Sequence, residues 1–467
     1  MKNPVCNSLV SLFLLLSVGF SACNQSVTET EISVFDVKTW DPVTLVVSRD
    51  NRHAAFVVQG EEGQCVLLDG KEGKRYDAIV KGSLLFSPDA TRFAYVAKVG
   101  AQWQVVIDGN EGPLYDGFLE GSLLFSPDSK RVAYAAQSGE SYCVVVDGRE
   151  ESHYDGIVTG TLTFSGDGSA MAYAARLAGK SFVVANAREQ KRYDAIAYGT
   201  VQFSPDGRHL AYAAQAGHQW HVVLDGEEGA PYDDIADGMF CFGSDANRLA
   251  YAALLHNKWR VVVNGQEEKP YDEIIEGLLQ FSPDGKRLAY AALLKGQRFV
   301  VVDGLEGRRY DAILEGSLAW GNNGNQPVYA VRRGNERFVV VGVQEGPRYE
   351  GIGTLLADPF SSRVAYAARR AERWFVVDGA AKTADAAPAE EESYDGIGKG
   401  TPVFSPDGKR LAFVARRGNK RFVVVNGKPY KSYNGIVDGT MHFESDGTLH
   451  CMAIRGNSFL RVAISGN

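Results

Sequence analysis

From about residue 34 onward, apolar residues come in short runs of four to six, and turn residues break each run before a helical period can build. The stretch Gly121–Gly148, GSLLFSPDSKRVAYAAQSGESYCVVVDG, shows the pattern. Alternation over such short runs, bounded by Gly, Pro, Asp and Ser, predicts β-strands joined by tight turns. In this unit the strands are expected at Ser122–Phe125, Arg131–Ala136, Tyr142–Val146 and His153–Ile157, with Ser126-Pro127-Asp128 and Asp147-Gly148 as turns. The second strand alternates bulky and small side chains, with alanine at the same point in Ala55, Ala94, Ala133, Ala172, Ala211, Ala250, Ala289, Ala365 and Ala412. A sheet with one bulky and one small face can lay bulk into a neighbour's hollow, so both faces are expected to be buried.

The unit repeats. Aligned on the residue before the SPD turn, the phases fall at Val47, Phe86, Phe125, Phe164, Phe203, Phe242, Phe281 and Trp320, each 39 residues after the last, then at Ala357, Phe404 and Phe443. A period near 40 made only of strands and turns is the signature of propeller blades. The fold class is therefore all-β, a β-propeller of about eleven four-stranded repeats with almost no helix. Eleven exceeds the usual four to eight blades, so the pattern leaves open one large ring or two tandem rings, with an open superhelix third. Ile32–Val37 reads as a fourth strand without its own first three, and the last copy ends after its third strand near Ile464, so the two ends are complementary. A glycine four residues before each aligned position, from Gly82 to Gly439, is expected where the chain passes between blades, at a positive φ or a close backbone approach.

The front of the chain differs from the rest. Lys2, the apolar run Leu9–Phe20 and the small residues before Cys23 read as a targeting segment, 1–22. Phe20-Ser21-Ala22-Cys23 resembles a bacterial lipoprotein signal, which implies cleavage before Cys23 and lipidation of its thiol. Residues 23–33 are then expected to be the lipidated cysteine and a polar tether, with the repeats occupying 34–467. Asn24 rather than Asp after the cysteine points to the outer membrane or cell surface, and the expected location is the cell envelope. Loss of Lys2 leaves 48 basic against 57 acidic side chains, a formal charge of −9, which argues against a nucleic-acid partner. Cys65, Cys143, Cys241 and Cys451 fall in different copies and read as small buried residues, with Cys65–Cys451 the one pairing that ring closure could bring together.

FSPDGRHLAYAA at 203–214, FSPDGKRLAYAA at 281–292 and FSPDGKRLAFVA at 404–415 resemble the WD40-like repeats of the periplasmic TolB type. The resemblance covers roughly 34–467 and implies blade architecture. The separate α/β domain that precedes the propeller in that family's namesake is missing, so its role in the cell envelope is not implied.

The one recurring constellation is the Tyr-Asp pair, which puts Asp77, Asp116, Asp155, Asp194, Asp233, Asp272, Asp311 and Asp395 at one phase. Around a ring these carboxylates could form an acidic band for cations or a basic peptide. The competing expectation is structural, with Tyr packed between blades and Asp bonded to a turn in each. No HExxH, zinc spacing, GxSxG or GxxxxGK[ST] pattern occurs, and no cofactor is implied. Trp103, Trp220 and Trp259 share a phase and are expected in packing. The insertion at 380–392, AAKTADAAPAEEE, is expected as a loop on one rim. The sequence thus favours a lipid-anchored propeller that binds or scaffolds a protein or peptide partner, with membrane contact through its lipid. The alternative is a propeller enzyme acting on glycans or peptides at the channel mouth.

Overall fold

The computed structural model describes residues 26–321, 323–358, 361–379 and 392–466. Cys23 and residues 380–391 of the insertion lie outside them. Among the described residues there are eleven antiparallel sheets and a single three-residue 3-10 turn, Pro42–Thr44. No helix is long and apolar enough to cross a membrane.

Each sheet is one blade. In blade 3 the first strand comes in two pieces, Gly117–Phe118 and Leu124–Phe125, both paired with the second strand Val132–Ser138. The third strand, Ser141–Val146, and the fourth, Arg149–Tyr154, follow in order. The blade boundary therefore differs from the sequence expectation. His153 and Tyr154 end one blade, whereas Gly156–Ile157 pairs with the next, so the crossover falls at the Tyr-Asp pair.

The repeated glycine has a different place from the expected crossover. Gly121, at φ 74°, forms the tip of a turn inside the first strand. Its neighbour Ser122 accepts from the Ala135 amide at 2.9 Å and donates to the Leu119 carbonyl at 2.6 Å, closing the gap in the ladder. First strands of adjacent blades approach one another, which makes them the innermost strands. Near the axis a Cβ on Gly400 would lie 3.6 Å from the Gly439 Cα, an ordinary contact, and one on Gly121 would meet nothing within 4 Å. Gly353 is the exception, without a positive φ but hemmed in by Ala367 and Trp374.

An apolar cluster fills every interface between consecutive blades, and one more joins the last blade to the first. This closes a single ring of eleven blades. The recurring alanines, from Ala55 to Ala412, are fully buried in these interfaces, as the alternation predicted.

Ring closure comes from the N-terminal side. Ser26–Val34 pairs antiparallel with Ser458–Ser465 and becomes the fourth strand of blade 11. Residues 26–33 are thus strand rather than tether, and the closing strand begins six residues earlier than the apolar pattern suggested. An outermost strand buries little of its surface, so SVTETEISV carries no apolar alternation. Glu29 anchors it through two bonds to Arg455, at 2.7 and 2.8 Å, and one from the Tyr433 hydroxyl at 2.8 Å. Arg455 first, then Tyr433, hold its carboxyl at about 2 against the burial that opposes ionisation. Beyond the strand, Phe35 stacks near Trp40 at 4.5 Å and Phe459 at 4.8 Å, pinning blade 1 to blade 11. Cys65 and Cys451 remain unpaired thiols, so the one disulfide left open by sequence does not form.

Two tests follow from the packing. Glu29→Gln should cost about 1 kcal/mol at pH 7, because Arg455, the partner of the lost carboxylate, is half exposed and screened by solvent. Because the folded carboxyl titrates below its ordinary value of 4.5, this contribution is complete above that pH and is lost as pH falls toward 2. Urea unfolding at pH 7 and pH 3 should therefore separate the two proteins at the higher pH and bring them together at the lower. Ala133→Leu should overpack the interface between blades 3 and 4 and cost about 1–3 kcal/mol in the same assay.

Candidate functional site

The ring has two faces. One carries the blade crossovers and the turns between second and third strands; the other carries the SPD loops and the Asp-Gly hairpins. The candidate carboxylates all lie on the first face, and each is tied to its own blade. Asp77, Asp116, Asp155 and Asp194 accept from the amides of Gly100, Gly139, Ala178 and Gly217, at 2.5, 2.8, 2.7 and 2.7 Å. Asp233, Asp272, Asp311 and Asp395 do the same for His256, Lys295, Gly334 and Gly418, at 2.8, 2.7, 2.6 and 2.7 Å. The turn amide is the leading cause that keeps the Asp116 and Asp395 carboxyls below their ordinary value; at Asp194 and Asp272 the leading cause is a lysine. Blade 11 uses Asn434 for the same bond, to Gly456 at 2.8 Å, so the job needs an acceptor rather than a charge. The partner tyrosines, such as Tyr115 and Tyr232, are buried between blades. Trp220 and Trp259 are half-buried in the interblade clusters, and Trp103 packs there beneath Lys98.

On the opposite face, several blades place an arginine before the second strand over the aromatic residue of the next blade. Arg92 covers Phe125 at 5.2 Å, Arg287 covers Trp320 at 5.5 Å and Arg410 covers Phe443 at 5.0 Å. The same arginines donate to the next loop, Arg92 to the Lys130 carbonyl at 3.0 Å and Arg287 to the Asn325 carbonyl at 2.6 Å. The aromatic phase used to align the sequence is thus half of an interblade clamp.

The clamp is missing between blades 8 and 9, where Gln326 and Ala357 stand at its two phases, and at the seam, where Thr448 replaces the arginine and Val47 the aromatic. An open pocket of about 660 Å³ occupies the place, lined among others by Arg49, Asp50, His442 and Glu444. His442 lies 3.8 Å from Glu444, and its ring 5.9 Å from that of His450. His450 stands where other blades carry the packing alanine; it is buried, its Nδ1 has no partner among the described residues, and burial is the main cause lowering its pKa. Asn51 bridges the seam beside it, donating to the Thr440 carbonyl at 2.6 Å.

The first face also carries a charge asymmetry that the residue-by-residue search missed. In blades 8 to 10 the turns between second and third strands read VRRGNERF, ARRAERWF and ARRGNKRF, and that of blade 11 reads IRGNSF, whereas those of blades 2 and 3 read AKVGAQW and AQSGESY. Arg333, Arg373, Arg417 and Arg455 are paired with Glu345, Asp395, Glu392 and Glu29. Arg369, Arg370, Arg416, Lys420 and Arg421 are exposed and have no carboxylate partner among the described residues. A comparison of the same phase across copies was the signal that could have found them.

No protein-family model matches the chain, and no curated protein matches it in sequence. Solved structures do match. A eukaryotic initiation factor is 12% identical, with 73% of this chain and 96% of that one covered and a TM-score of 0.40. TolB from Acinetobacter baumannii is 17% identical over 54% of this chain and 77% of its own, with a TM-score of 0.25. A dihydro-heme d1 dehydrogenase, NirN, is 16% identical over 68% and 77%, with a TM-score of 0.33. No activity or partner is carried from them. By its own sheets, the chain is a β-propeller repeat protein.

If the aspartates serve their turns, Asp311→Asn should leave stability unchanged and Asp311→Ala should cost about 1 kcal/mol. Chemical denaturation of both variants checks this, and a Ca²⁺-dependent melting temperature in the wild type would instead mark an ion-binding band.

Proposed function

We propose that the protein is a lipid-anchored scaffold of the cell envelope, on the outer membrane, that docks an acidic protein surface on the arginine-rich part of its crossover face. The observation that carries this reading is the group Arg369, Arg370, Arg416, Lys420 and Arg421, exposed positive charge without an ion-pair partner among the described residues, on a chain of net charge −8. Rigid strands fix the backbone positions from which these side chains project, and complementary charge would set the orientation of docking. The route of the chain supports the same reading. Ser26 pairs with Ser465, at the end of the third strand that carries the hairpins, so the closing strand begins on the face opposite the arginines. With only Asn24 and Gln25 between Cys23 and Ser26, a lipid on Cys23 would sit within about 11 Å of that face. The arginines would then point away from the membrane.

The seam pocket favours a second reading, an enzyme for glycans or peptides. It is where the repeat breaks and where His442 and Glu444 meet, and Glu444→Gln would abolish turnover if that reading held.

The docking reading predicts that the tagged, lipidated protein retains a stoichiometric partner from gently solubilised envelopes, more weakly as salt rises. Combined Arg370→Glu, Lys420→Glu and Arg421→Glu should release it at least tenfold more readily with the melting temperature unchanged. Equal retention by the charge-reversed protein would remove this face as the docking site.

A further inference from the structure

Blades 4, 7 and 8 share a small device in their third and fourth strands that blade 3 alters in a chemically specific way. In blade 4, Arg192 lies over Phe182 at 4.8 Å and bonds Glu189 at 3.1 Å. Blade 7 repeats it with Arg309 over Phe299 at 3.7 Å and Glu306 at 2.8 Å. Blade 8 has Arg348 over Phe338 at 3.5 Å and Glu345 at 2.7 Å. In blade 3 the ring becomes Cys143 and the guanidinium His153, while the carboxylate stays as Glu150. Blade 1 also has a cysteine at this phase, Cys65, but keeps the arginine as Arg75; blade 3 joins the cysteine to a histidine, so that two metal-binding side chains face its glutamate.

Their geometry suits an ion. Cys143 and His153 are directly opposite on the third and fourth strands, and Val145 is opposite Glu150. The bulge between these pairs adds one residue to the fourth strand, which brings Glu150 and His153 to the same side although they are three apart. Ligand atoms of all three residues lie within 4.8 Å of one another, with His153 Nε2 3.6 Å from Glu150. Cys143 is fully buried, while His153 and Glu150 are exposed, so an ion could enter from the rim and reach a thiolate at the base. Replacing arginine by histidine also removes the positive charge that balances this glutamate in blades 4, 7 and 8.

We propose that Cys143, Glu150 and His153 form a zinc-binding site in the outer half of blade 3. Thiolate, imidazole and carboxylate are the three donor types that zinc takes, and the fourth tetrahedral position would hold water. Binding forms a zinc–sulfur bond and breaks the S–H bond, and the proton leaves to solvent. Burial and Glu150 push the unoccupied thiol up to about 11, so zinc must displace that proton, and uptake weakens as pH falls. The site was invisible to a search for zinc spacings because its ligands face one another across a hairpin.

The test uses the untagged full chain, reduced with a phosphine and stripped with chelator, titrated with Co²⁺ and then Zn²⁺. The wild type should take up one equivalent, show a thiolate-to-cobalt charge-transfer band, and lose that band on adding zinc. The double variant C143F/H153R, which installs the residues of blade 4, should melt normally, show no band, and bind at least tenfold more weakly. A wild type without the thiolate band, or a double variant with the same band and affinity, would overturn the proposal.

Discussion

Everything in this ring depends on one strand that arrives from the wrong end of the chain. Nine blades supply their own fourth strand and blade 9 shows three strands among the described residues, whereas the eleventh is finished by Ser26–Val34. Without that pairing, the third strand of blade 11 would present an unpaired edge, a template for association with other chains. The bonds that secure it are the ones the repeats already use. Glu29 meets Tyr433 and Arg455 much as Glu345 meets Tyr310 and Arg333. Closure is therefore an ordinary blade contact made between residues more than four hundred positions apart, and its cost is the entropy of closing that loop.

The positions that repeat serve the scaffold, and the positions that break the repeat are where function is to be sought. The Asp that caps a turn, the buried Tyr and the packing Ala recur because each interface poses the same problem, and the arginine that covers the next aromatic recurs in several of them. Three departures stand out: the seam pocket at Val47 and Thr448, the uncompensated arginines of blades 9 and 10, and the Cys-Glu-His group of blade 3. Each loses a scaffold contact or leaves a charge unbalanced, which a purely structural repeat has no reason to do.

The sequence made the repeat legible because its signals are local and periodic. A 39-residue period, the alternation of Ala133 with bulkier neighbours and the turn at Ser126-Pro127-Asp128 need no knowledge of neighbours in space. What was misread depends on pairing. The crossover was placed at Gly121 rather than at Tyr154-Asp155, because a glycine inside a split first strand and a glycine between blades look alike in one dimension. The start of the closing strand, before Ile32, reads as tether in the sequence because an edge strand shows no apolar face. Whether eleven copies close as one ring could not be read from spacing, since it rests on Phe35, Trp40 and Phe459 meeting from opposite ends.

The most direct test of the single closed ring is electron microscopy of the purified protein, with blades counted in axial class averages. Eleven blades around one continuous ring with an open centre is the result this account predicts. Two smaller rings, or an arc with a gap between first and last blades, would contradict it.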